Sequence, residues 1–139
     1  MRAALDASDG HLRPWIPFMR QEPRTLDGTC DELARFREDW DAGRVHRWAL
    51  YAEVLVGEVM LIRREASWEV GYWLHVDHCG RGYATEAVQA VLPLVDGPKL
   101  FRCDERNTGS IAVPRKLGAA LTGLQTVEGG VVLELWSVN

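Results

Sequence analysis

The stretch Cys79-Gly80-Arg81-Gly82-Tyr83-Ala84-Thr85-Glu86-Ala87 carries the strongest chemical signal in the chain. Two glycines stand between an apolar strand-like run, Trp68 to Val76, and apolar residues at helical spacing, Ala84, Ala87, Val88, Val91 and Val95. Without Cβ atoms, Gly80 and Gly82 let the backbone turn sharply and let a ligand approach it. The helix that follows begins with free N–H groups and the positive end of its dipole, so the turn reads as an anion site, phosphate being the usual anion. A nucleotide P-loop is excluded, because no Lys-Ser/Thr pair follows the second glycine. The dinucleotide fingerprint is also excluded, because Glu86 stands where its third glycine is required. A glycine-rich β–α turn with no ligand has the same composition, and stands as the alternative on this stretch alone.

A phosphate turn needs a strand before it and a helix after it, and the rest of the chain supplies more of both. With 139 residues, 47% apolar and 26% charged, the chain suits a single globular domain over residues 1–139. The formal charge of −4 contains no block of like charge, which argues against nucleic acid as a partner and suits a cationic substrate. No apolar run is long enough to span a bilayer, and the N-terminus has no secretory core. Cys30, Cys79 and Cys103 are scattered and odd in number, so the expected compartment is a reducing cytoplasm. His11, His46, His75 and His78 have no ligand spacing, and no metal is expected.

In chain order, residues 2–8 read as the end of a helix, which Asp9-Gly10 stops. His11 to Met19 reads as an apolar loop, because Pro14 and Pro17 fall three residues apart. A helix capped by Thr29 or Asp31 runs to about Ala42, with Leu33, Phe36 and Trp40 on one face and a charged, solvated opposite face. Strands follow at Arg47 to Ala52, Leu55 to Arg63 (with a possible bulge at Gly57) and Trp68 to Val76. After the turn a helix runs to about Val95, then a strand from Leu100 to Asp104, parallel to the previous one because a helix crosses between them. A helix capped by Asn107 or Thr108 runs to Leu117, and Pro114 inside it leaves the Ser110 carbonyl without its usual partner. A hairpin, Leu121 to Val127 and Val131 to Val138, completes an α/β chain with a mixed sheet, in which a ligand belongs where the two parallel strands part.

Glu69 is a carboxylate on what reads as a central strand, where it must be paired, wet or protonated. Tyr72 and Trp73 read as core aromatics. The run Glu69-Val-Gly-Tyr-Trp-Leu74, then Gly80-Arg-Gly-Tyr-Ala-Thr-Glu-Ala87, Asn107-Thr-Gly-Ser110 and Arg115-Lys-Leu-Gly118 resembles the GNAT N-acetyltransferases. Within them it resembles the ribosomal-protein N-terminal (RimJ/RimL-like) branch, as does the loop His11-Leu-Arg-Pro-Trp-Ile-Pro17. Gly82 and Ala84 fill the last anchors of the family's R/Q-x-x-G-x-G/A signature, while Cys79 stands where Arg or Gln is usual.

The resemblance implies the GNAT fold and acetyl-CoA as cosubstrate, with an amine attacking the thioester directly. It implies that Gly80, Arg81, Gly82, Tyr83, Ala84 and Thr85 hold the pyrophosphate, and that the strand edge at Leu74, His75 and Val76 pairs with the pantetheine arm. Asn107 would bind the pantetheine amide or brace its turn, and a main-chain N–H near Leu74 would face the oxyanion. Glu69 would act as the base and Ser110 would protonate the thiolate, with Glu58 and Glu134 as weaker bases. The acceptor would be a peptide N-terminus or a small-molecule amine. A non-catalytic acyl-CoA-binding module is the alternative. Members of the family begin with a strand that precedes the residues matched here, so the expected sheet lacks its first strand, and a second copy of the chain could cover the open edge in a homodimer. Ala119 also stands where the family usually has an aromatic.

Overall fold

The structure is a computed structural model that describes residues 1–21 and 25–139. Helix α1 spans Arg2–Leu12 and continues through Asp9-Gly10 rather than stopping there. Its buried residues Ala4, Leu5, Ser8 and Leu12 form one stripe against the sheet, and that packing outweighs the cost of about 1 kcal/mol for a glycine inside a helix. The apolar loop is accordingly shorter than expected, and Pro17 opens a short 3-10 turn, Pro17–Gln21. Helix α2, Leu26–Asp41, is capped by Thr25, which accepts from the Gly28 N–H at 3.1 Å. Thr29 cannot cap because it lies inside the first turn, where its hydroxyl donates to the Thr25 carbonyl at 3.0 Å. No residue of α2 is buried, and its contacts run through Phe36, over which the Arg47 guanidinium sits at 4.0 Å, and Trp40, 4.8 Å from His46.

Strands β1 (Val45–Ala52), β2 (Val54–Arg63), β3 (Trp68–Leu74), β4 (Lys99–Asp104), β5 (Ala120–Thr126) and β6 (Val132–Val138) form one sheet in the order β1-β2-β3-β4-β6-β5. All neighbours are antiparallel except β3 and β4. The bulge falls beside the expected glycine: Leu50 faces Gly57 and Tyr51 faces Leu55, so Val56 is the extra residue. Gly57 is required by its neighbour across β3, since a Cβ there would lie 2.2 Å from the Trp73 carbonyl oxygen. Strand β3 ends at Leu74, two residues earlier than its alternation predicts. The His75 N–H turns to the Val56 carbonyl at 2.7 Å, the Val76 N–H donates to Ser8 Oγ of α1 at 3.1 Å, and Val76–His78 coil into a 3-10 turn.

Helix α3, Tyr83–Val91, passes into a 3-10 turn at Leu92–Leu94, where Pro93 ends the α-helical ladder before Val95. Helix α4, Thr108–Lys116, begins at the Asn107 cap. One face of the sheet packs Val59, Leu61, Val70, Phe101 and Trp136 against Val88 and Val91 of α3 and Ile111 and Val113 of α4. The other packs Trp73 against Ala4, Leu5 and Leu12 of α1 and against Met19. Helices therefore cover both faces, and β3 and β4 lie at the centre between them. Among the described residues no helix is long and apolar enough to cross a membrane.

Candidate active site

The two parallel strands are joined only at their start. Trp68 faces Lys99 and Glu69 faces Leu100, and no further β3–β4 pair forms among the described residues. Beyond Glu69 the strands part around a cleft of about 410 Å³. Because His75 donates toward β2, the alternation of an antiparallel ladder turns the main-chain groups of Tyr72 and Leu74 the other way, into this gap. The cleft is thus a place where strand edges stay open inside a sheet.

At the carboxyl end of the gap the chain makes the glycine turn. Gly80 and Gly82 have φ of +73° and +84°, the left-handed region that favours glycine. Gly82 caps α3 without a side-chain bond, and the first helical bond runs from the Glu86 N–H to the Gly82 carbonyl at 3.0 Å. The N–H groups of Tyr83, Ala84 and Thr85 therefore have no acceptor within the helix. A Cβ at Gly80 or Gly82 would meet nothing within 4 Å, so the space before these amides is open. Of the residues expected to hold the cosubstrate, Leu74, Gly80, Gly82, Ala84, Thr85 and Asn107 line the cleft. His75, Val76, Arg81 and Tyr83 do not, and the amides of His75 and Val76 are already taken by Val56 and Ser8. Asn107 serves as a brace: its side-chain oxygen accepts the Ser110 N–H at 3.1 Å and starts α4. Cys79, at the departure from the signature, puts its sulfur 3.3 Å from His11 Nε2.

Glu69 and Ser110 reach the cleft from opposite faces of the sheet. Glu69 shares its side of β3 with Trp73. Its Oε2 accepts from Arg64 Nε at 2.9 Å and Arg64 Nη2 at 2.6 Å, and lies 4.0 Å from Arg102 Nη1. All of these contacts fall on Oε2, and Oε1 receives no hydrogen bond from the described residues. Glu58 and Glu134 are placed elsewhere. Glu58 is buried between Arg47 (3.2 Å) and Trp73 Nε1 (3.0 Å), Glu134 accepts from Trp136 Nε1 at 2.9 Å, and neither lines the cleft.

On the α4 side Ser110 sits in a cluster that sequence reasoning half anticipated. Pro114 does free the Ser110 carbonyl, and Tyr72 takes it: the phenol donates to that oxygen at 2.8 Å. Tyr72 Oη also lies 3.2 Å from Ser110 Oγ, and the Ser110 hydroxyl is 3.4 Å from Cys103 Sγ. Burial holds the Tyr72 phenol far above its usual range, and burial likewise raises the Cys103 thiol, so both are protonated at neutral pH. Tyr72 is thus a core aromatic with a second task, and a helical proline four residues after a cleft serine was the signal for it.

At the mouth of the cleft, Asp104 is clasped by Arg106, whose Nε and Nη2 donate at 2.9 Å and 2.6 Å and hold the carboxyl below its ordinary range. The Arg106 guanidinium lies 5.8 Å from the Trp15 ring, linking the β4–α4 loop to the segment after α1.

The profile of the "Acetyltransferase (GNAT) domain" matches residues 2–120. The chain belongs to the GNAT acetyltransferases. No curated protein matches it by sequence. Among solved structures it is similar to RimL, a ribosomal alpha-N-protein acetyltransferase in complex with coenzyme A, at 14% identity and TM-score 0.88, with 99% of this chain and 85% of that one covered. It is similar to MccE, a microcin self-immunity acetyltransferase in complex with acetyl-CoA and AMP, at 16% identity and TM-score 0.86 over 99% and 83%. It is similar to Mycobacterium smegmatis RimJ in complex with a CoA disulfide, at 20% identity and TM-score 0.83 over 99% and 74%. The shared architecture is the GNAT fold, with its one parallel strand pair.

The Tyr72–Pro114 relation gives a double-mutant test. Tyr72→Phe leaves a buried carbonyl without a donor and should destabilise the fold by about 1–3 kcal/mol in denaturant unfolding. Pro114→Ala restores an N–H four residues after Ser110, so the double variant should lose less than the sum of the singles. Strict additivity would contradict the pairing.

Proposed function

We propose that the chain transfers the acetyl group of acetyl-CoA to a primary amine, with the N-terminal α-amine of a protein as its leading acceptor class. The observation that carries this reading is the splay after Glu69, which opens directly before uncapped helix amides. Family membership supports catalysis over a non-catalytic acyl-CoA-binding module. RimL, RimJ and MccE, the similar structures, hold coenzyme A, its disulfide or acetyl-CoA. RimL and RimJ together favour the RimJ/RimL-like branch and a peptide acceptor over a small-molecule amine.

In this reading the pyrophosphate lies before the N–H groups of the Gly80–Thr85 turn, where the helix dipole and unpaired donors favour an anion. Fit is supported by the open space at Gly80 and Gly82. The pantetheine arm follows the free main-chain groups of Tyr72 and Leu74, and the thioester ends near Ser110 and Cys103. An N-terminal amine, with a pKa of about 8, arrives largely protonated at neutral pH. Glu69 Oε1 takes that proton, directly or through a water, while Arg64 fixes the carboxylate through Oε2. The amine nitrogen then bonds to the carbonyl carbon, and the Leu74 N–H faces the oxyanion. As the C–S bond breaks, the Ser110 hydroxyl gives its proton to the thiolate; the proton shed by the acylated nitrogen returns to Ser110 through water, and Glu69 releases the first proton to solvent. Tyr72 keeps its own proton on the Ser110 carbonyl, so its oxygen remains an acceptor and Ser110 is the movable donor of the cluster.

The three cysteines are free thiols, which fits a reducing cytoplasm. The outer edge of β1, where Tyr51 is 73% exposed, is the surface on which a second copy of the chain would pair.

Two variants test the chemistry. Gly82→Val sets a β-branched side chain at a left-handed position in front of the amides, and calorimetry should show at least about a hundredfold loss of acetyl-CoA affinity. Unchanged affinity would place the diphosphate elsewhere. Glu69→Gln should lower kcat by about tenfold to a thousandfold at neutral pH while leaving acetyl-CoA affinity alone. The deficit should shrink as pH rises past the acceptor's pKa, because the free amine then needs no base. A deficit that is the same at every pH would assign Glu69 a packing role.

A further inference from the structure

The charges on the acceptor side of the cleft do not cancel. Glu69 is held by Arg64 through two bonds, and Asp104 is held by Arg106 through two bonds from its guanidinium and one from its N–H. Among the described residues on this side of the sheet, Arg102 is the cleft-lining cation with no carboxylate at hydrogen-bond distance. Its Nη2 donates to the neutral Gln125 Oε1 at 2.9 Å, and its Nη1 comes no nearer than 4.0 Å to Glu69 Oε2. Its Nε and Nη1 donate no hydrogen bond to the described residues, and the side chain is 37% exposed and lines the cleft. It sits on β4 across the gap from Glu69, on the same side of the sheet as the carboxylate that would receive the amine's proton.

We infer that Arg102 is a specificity-determining residue, and that the preferred acceptor amine carries a carboxylate within a few bonds of its nitrogen. The inference rests on the transferase reading above and narrows its acceptor. A guanidinium with free donors binds a carboxylate through charge-assisted hydrogen bonds. An amine donating to Glu69 Oε1 and a carboxylate accepting from Arg102 Nη1 would stand about 4–8 Å apart, given hydrogen bonds of about 2.9 Å at each end. An α-amine with an aspartate at its first or second residue spans that distance, as does a free amino acid with two or three carbons between its amine and its carboxylate. An acceptor whose amine is surrounded by further cations meets Arg102 as a like charge and is disfavoured.

The test compares thiol release from acetyl-CoA with matched acceptors: short peptides with Asp or Asn at the second residue, and a free amino acid beside its amide. The wild-type chain should favour the acid of each pair by at least about tenfold in kcat/KM, chiefly through KM. Preference confined to the peptide pair assigns the carboxylate to a peptide side chain, and preference confined to the amino-acid pair assigns it to a small acceptor. In Arg102→Gln the acid-to-neutral ratio should fall toward one, in Arg102→Glu it should invert, and in Arg102→Lys part of it should return. Equal rates for acid and neutral acceptors in the wild type, or a ratio unchanged in Arg102→Gln, overturn the inference and leave the transferase reading standing. Absence of thiol release with every acceptor, from a chain that binds acetyl-CoA, overturns the transferase reading and this inference with it.

Discussion

The structure depends on one interruption: two parallel strands that begin as partners and stop pairing after Glu69. A sheet interior normally satisfies every main-chain group, and an unpaired buried one costs free energy. Here the groups of Tyr72 and Leu74 face a cleft, so their partners must come from water or from a ligand with amide groups of its own. The gap ends at uncapped α-helical N–H groups. One stretch of backbone thus offers ladder-type bonds along its length and an anion site at its end, which matches a long cosubstrate with a diphosphate.

The interruption also brings both faces of the sheet to one place. The pleat puts Glu69 on the α1 side and Tyr72, which holds Ser110, on the α4 side, so a carboxylate and a serine hydroxyl approach the same gap from opposite directions. Each is fixed by a neighbouring side chain. Arg64 holds one oxygen of Glu69 and leaves the other, while Tyr72 holds the Ser110 carbonyl that Pro114 frees. That pairing turns an irregularity of α4 into a tie between the helix and the central strand. Ser8 makes a corresponding tie from α1 to the end of β3.

Much of this was readable from residue pattern. The glycine turn, the parallel unit, the hairpins and the Asn107 cap follow from local rules that tertiary packing leaves intact. Two of the displaced boundaries share one cause. Gly10 does not stop α1 and Val76 does not extend β3, because Leu12 and Ser8 make contacts with distant parts of the chain that no local window contains. The arginines were also illegible. Arg64, Arg102 and Arg106 lie on different elements, and nothing in their spacing says that two would find carboxylates and one would not. Tyr72 reads as core in the sequence because both faces of its strand are largely apolar, and its hydroxyl shows a role only once α4 is in place.

The central claim is that main-chain amides at the start of α3 receive a diphosphate and that the open edge of β3 receives the arm behind it. Backbone amide NMR during titration with coenzyme A tests both at once. The account predicts that the N–H resonances of Gly80 to Thr85 move most, together with those of Tyr72 and Leu74, while those of His75 and Val76, already bonded within the protein, move little. Binding with no movement at Gly80 to Thr85, or movement centred on another part of the sheet, would contradict it.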